Sequence, residues 1–171
     1  EIALPLVNSS LSDPEILIRQ EAAIALTRIS GSNAIPALIV YLSEFSDAGD
    51  QETAKTALMS VAGAGKITLL RPVLREGPAA ARKSSVELMA WTKSNEFFKD
   101  VLPFTSSDEP EVKSAAFKAL AALASDENQT ELIELLAATE DTSLVSEVQS
   151  AAAKAAGSIA DPERRTDMIL K

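Results

Sequence analysis

The 171 residues include 16 Lys and Arg against 25 Asp and Glu, a net charge of −9, with no His and no Cys. That excludes a Ser-His-Asp triad, a Cys nucleophile and a zinc site built from nitrogen and sulfur ligands. Twenty-nine alanines and only seven aromatic residues point to closely apposed helices rather than a β-sandwich.

In chain order, the spacing of apolar residues predicts helices in pairs. The first member of each pair covers roughly 2–10, 33–45, 66–76, 95–105 and 127–139, and the second 14–30, 50–63, 79–93, 109–124 and 144–159. The register repeats. Arg19, Gln51, Arg82, Lys113 and Gln149 fall at one position, at intervals of 32, 31, 31 and 36 residues. The first helices carry an independent column, Leu38, Leu70, Val101, Leu132 and Met168. Each helix buries one face, so a pair needs its neighbours to form a core.

Proline and glycine punctuate this plan. Pro14, Pro78, Pro110 and Pro162 fall at helix starts, with Asp13 and Asp161 as N-caps. Pro72 and Pro103 lie inside first helices and are expected to bend them. A segment from Pro162 to Lys171 opens a sixth pair and stops mid-pattern. The expectation is one array over 1–171, a piece of a longer array or multidomain protein.

The longest apolar run, Ala34 to Leu42, is too short to span a membrane. The absence of Cys fits a reducing and an oxidising compartment alike. Phe97, Phe98, Phe104 and Phe117 lie on or beside apolar stripes, as core residues do. Ala62-Gly-Ala-Gly-Lys66 lacks the spacing and the hydroxyl residue of a phosphate loop and reads as an inter-helix turn.

The stretch Asp13-Pro-Glu-Ile-Leu-Ile-Arg19 through Gly31, followed by Asn33-Ala-Ile-Pro-Ala-Leu38, resembles HEAT repeats. The short period is most similar to the HEAT-like repeats of the phycobilisome-lyase type, and Pro110 to Leu120 is a second match. The resemblance implies an all-α, right-handed α-solenoid of about five two-helix repeats plus a partial sixth. It also implies a structural ladder of Asp with Arg or Lys, which Asp13 with Arg19 and Asp108 with Lys113 fit. Gln51 and Gln149 interrupt that ladder.

The family places second helices on the concave face. One column across that face is Ile24, Thr56, Glu87, Lys118 and Lys154, and its neighbour is Arg28, Ser60, Trp91, Ala122 and Ser158. Ile24, Arg28, Glu87, Trp91, Lys118 and Lys154 are the candidate partner-binding residues, since exposed Trp and Arg are enriched in hot spots. Trp91 has a second reading, as filler beside Ser85 and Thr92, which are polar at core positions.

The function expected is a non-catalytic protein-interaction scaffold, with no cofactor, no metal and a monomeric state. A bilin lyase-like role in chromophore handling is the alternative that the resemblance raises, beside a helical accessory domain of a larger enzyme. Without His or Cys, and with Tyr41 the only Tyr, a bilin role has few groups to work with. Lys83, Lys118 and Lys154 would form only a short basic stripe. A net charge of −9 opposes the counterion release on which nucleic-acid binding depends.

Overall fold

Proline and short polar residues set the helix boundaries, and alanine with leucine fills the helices between them. The computed structural model describes residues 3–157. It is all-helical, with no strand among the described residues. The chain divides into two compact units, Glu1–Leu88 and Met89–Lys171.

The first unit contains α1 (Ala3–Ser10), α2 (Ile16–Ser30), a 3-10 turn (Gly31–Ala34), α3 (Ile35–Glu44) and α4 (Ala48–Val61). It continues through α5 (Ala64–Ile67), a second 3-10 turn (Thr68–Leu70), α6 (Arg71–Glu76) and the start of α7 (Ala79–Thr92). Helix α2 packs on both α1 and α4, and α3 packs on α4. The core holds Leu26, Leu38, Leu42, Leu58, Leu70 and Leu74, all buried. Burying each such side chain contributes about 1.5–3 kcal/mol. Ala23 and Ala54 are fully buried where α2 meets α4, because a methyl group lets two helix backbones approach.

The second unit holds the end of α7, a 3-10 turn (Asn95–Phe97), α8 (Phe98–Val101), a further 3-10 segment (Leu102–Ser106) and α9 (Pro110–Leu123). The 3-10 turn Asp126–Asn128, α10 (Gln129–Ala138) and α11 (Thr142–Gly157) follow. Helix α11 packs on α9 and α10. Phe97, Phe98, Phe117, Leu120 and Leu132 are buried here, whereas Phe104 is half-buried.

The described helices fall within a few residues of the expected spans. The prolines act differently from expectation. Pro72 does not bend a continuous helix: the chain tightens into the 3-10 turn Thr68–Leu70, and a new helix starts with Pro72 in its first turn. Pro36 does the same in α3, and Pro103 opens the 3-10 segment after α8. The missing N–H and the clash with the carbonyl four residues back end the α ladder at these points. Asp13 is not the N-cap of α2. Its carboxylate accepts the amide of Glu15 at 2.9 Å, and α2 starts at Ile16. Asp47 does cap α4, accepting the amides of Gly49 and Asp50. Asp161, Pro162, Met168 and Ser158, with the sixth pair, lie outside the described residues.

Ile16–Glu44 is long and apolar enough to cross a membrane by length and composition, which the run Ala34 to Leu42 alone is not. It is two helices, however, divided at Gly31, whose φ is +53°. Core helices pass the same test, so no firm membrane span follows.

Candidate functional site

Arg19 is buried at the start of α2 and forms no ion pair with the Asp13 carboxylate among the described residues. One terminal nitrogen, Nη1, donates to the main-chain carbonyls of Asp13 (2.8 Å) and Pro14 (3.0 Å), and Nη2 donates to Asp50 Oδ2 at 2.6 Å. Its ionic partner is therefore on α4, one period away. Tyr41 donates its hydroxyl to the other Asp50 oxygen. The Arg19 guanidinium also lies 4.2 Å over the ring of Phe45. Burial, reinforced by the bond to Asp50, pushes the Tyr41 hydroxyl well above its ordinary range. The hydrogen bond that Arg19 itself donates to Asp50 raises the guanidinium.

At the next register position Gln51 replaces Arg. Its amide nitrogen donates to the carbonyls of Leu42 and Phe45, and its oxygen accepts the Ser84 hydroxyl at 2.6 Å. The link between successive helices persists with a neutral side chain. Asp108 is exposed and forms no ion pair with Lys113 among the described residues. Lys113 instead lines a groove of about 490 Å³ with Asp141, Phe117 and Leu144. Hydrogen bonds from the Ser143 hydroxyl and amide hold the Asp141 carboxyl below its ordinary value, and Lys113 adds to that shift.

Ile24 lines a groove of about 330 Å³ between α2 and α4, together with Thr27, Thr53, Thr56, Ala57 and Ser60. Ile24 and Ala57 supply apolar surface. The hydroxyls of Thr27 and Ser60 donate to the carbonyls of Ile24 and Ala57, leaving oxygen lone pairs as acceptors. Glu52 is also part of the lining. Beside it, Lys55 bridges Glu52 (2.8 Å) and Glu87 (2.5 Å). Burial pulls the Lys55 ammonium down, and the two carboxylates outweigh that and leave it raised. Arg28 is exposed in the last turn of α2, where a cation suits the helix dipole.

The six candidate binding residues are thus divided between the units: Ile24, Arg28 and Glu87 in the first, Trp91, Lys118 and Lys154 in the second. Trp91 is 42% exposed. The buried Ser85 hydroxyl donates to the Ala81 carbonyl. Lys118 is exposed on α9. Lys154 reaches from α11 to the Ala122 carbonyl at 2.6 Å, satisfying an acceptor in the last turn of α9. Sequence reasoning missed Asp50, Tyr41 and Lys55. The spacing of Glu52 to Lys55, and of Lys55 to Glu87 one period on, was the available signal.

Tyr41 is buried with its hydroxyl engaged, so it offers no accessible nucleophile. No group of three or more acidic side chains could hold a metal ion among the described residues.

No family model matches the chain, and no curated protein matches it. In solved structures it is similar to an engineered protein, a crystal structure from the Northeast Structural Genomics Consortium. The identity is 19% and the TM-score 0.55, over 98% of this chain and 84% of that one. At that identity the likeness speaks for the helical fold alone.

Proposed function

We propose that this protein is a non-catalytic interaction module of the HEAT-like type, a right-handed α-solenoid that binds a protein partner across its second helices. The observation that carries this reading is the α2–α4 groove, whose lining sets apolar Ile24 and Ala57 beside hydroxyl residues and Glu52. That lining combines hydrogen-bond acceptors with nonpolar side chains. With a chain charge of −9, it favours a partner segment rich in donors and positive charge.

The test is a photo-crosslinking residue placed at Thr56. Captured proteins are identified, and capture is repeated with Ile24→Asp and Thr53→Arg, each checked for helicity by circular dichroism. The reading requires that both substitutions abolish capture while the fold is kept. Capture indifferent to both, or turnover of a small substrate by the intact chain, would remove it.

A further inference from the structure

A second groove along α2 shares no lining residue with the first. Helices α1 and α2 line a groove of about 450 Å³ that includes Leu6, Val7, Leu17, Ile18, Glu21 and Ala22. Two register columns run through it. Leu6 falls one period before Leu38, and Ile18 one period before Asp50. Leu6 is 68% exposed and Ile18 45%, whereas Leu38 is fully buried and Asp50 is 1% exposed. Further down the same columns Leu70, Val101 and Leu132, and Ala81, Val112 and Val148, are all buried. Within the first unit α2 lies against α4 and reaches Asp50, and within the second α9 lies against α11, which carries Val148. In each case the preceding second helix packs against the one that carries the column.

Polar side chains specify the contact further. In the first unit the ladder side chain of one second helix bonds to the next: Arg19 to Asp50, and Gln51 to Ser84. On α2 the positions equivalent to Asp50 and Ser84 are Ile18 and Glu21, three residues apart and so on one helix face. On α2 a carboxylate stands at the Ser84 position, one turn from the Asp50 position, which Ile18 occupies. The Glu21 carboxylate is exposed and has no hydrogen-bond or ion-pair partner among the described residues.

We infer that the α1–α2 face is a docking site for an antiparallel helix pair. That pair carries the apolar spacing of this chain and an Arg, Lys or Gln at the position equivalent to Arg19, where it meets Glu21. The apolar area continues an interface already built between α2 and α4, and the unpartnered carboxylate supplies the charge complement. Glu21 in the lining and a net charge of −9 oppose an anionic lipid surface.

The chain has no Cys, so Ile18→Cys gives a single thiol. The probe is a tandem copy of residues 1–32 fused ahead of Glu1 in the full chain, which adds one period and its own Arg. Maleimide labelling at position 18 should be fast in the parent and slower by about tenfold or more in the extended chain. Glu21→Lys should restore fast labelling in the extended chain and lower its Tm, while leaving the Tm of the parent unchanged. Equal labelling rates in parent and extended chain would overturn the inference, as would a duplicate that stays unfolded by hydrogen exchange while the rest folds. Labelling of the parent that slows with protein concentration points to a second copy, and slowing with phosphatidylglycerol vesicles points to lipid. Either result overturns it too.

Discussion

Arg19 on α2 and Asp50 on α4 are bonded at 2.6 Å although 31 residues separate them, and both side chains are almost completely out of water. The pair joins two successive second helices. Asp50 is shared, because its other oxygen accepts the Tyr41 hydroxyl.

Arg19→Met would leave the Asp50 charge buried with Tyr41 as its main support. Removing one partner of a buried pair costs about 3–5 kcal/mol. The combination Arg19→Met, Asp50→Leu and Tyr41→Phe removes every member and should recover most of that loss. Urea denaturation of the parent, Arg19→Met and the triple variant decides it, and an Arg19→Met protein as stable as the parent would show that the pair does not hold α2 to α4.

Alkaline pH should weaken the first unit through Tyr41. Its hydroxyl is raised in the folded chain by burial and by Asp50, from an ordinary value of 10.0. The unfolded chain therefore loses this proton first, and stability present below pH 10 falls as pH rises above it. Lys55, also raised, loses stability in the same direction. Denaturation curves across this range should show a shallower alkaline slope for Tyr41→Phe than for the parent. Identical slopes would refute the Tyr41 contribution.

Gly31 holds φ at +53° between α2 and the turn leading to α3. An alanine there is strained by about 1–3 kcal/mol even though its methyl group meets nothing within 4 Å. Gly63, at φ −72° and with equally open surroundings, is the control. Gly63→Ala should stay neutral or stabilise by about 0.4–1 kcal/mol through the unfolded chain. Thermal melts of the two variants test the contrast.

Trp91 is the only tryptophan and is 42% exposed. Its fluorescence should be readily quenched by acrylamide in the folded chain. A partner that covers this part of the second unit should shift the emission to shorter wavelength. Resistance to quenching before any partner is added would contradict the exposure.

Much of the fold is legible in the spacing. The helices around Ala22, Leu58, Leu120 and Ala151 follow from apolar residues three and four apart, which is a local property of one chain segment. The candidate site is less legible. Ile24, Thr56 and Ser60 share columns in sequence, and the structure brings Ile24, Thr56 and Ser60 to one groove. The resemblance to HEAT repeats pairs Arg19 with Asp13. Packing of α2 on α4 selects Asp50 instead, and turns the Asp13 carboxylate to the Glu15 amide. Gln51 reads as a break in the ladder, yet an amide both donates and accepts, so it joins Leu42, Phe45 and Ser84.

By itself the sequence determined the helical class, the period, most helix boundaries and the absence of imidazole and thiol chemistry. These depend on residue type and on spacing within one or two turns. Tertiary structure decided which charges pair, that Tyr41 is sealed against Asp50, and that Ile18 stays exposed while Ala81 and Val112 in its column are buried. Those outcomes depend on which helix lies against which, and a column of equivalent residues has no such information until a neighbour covers it.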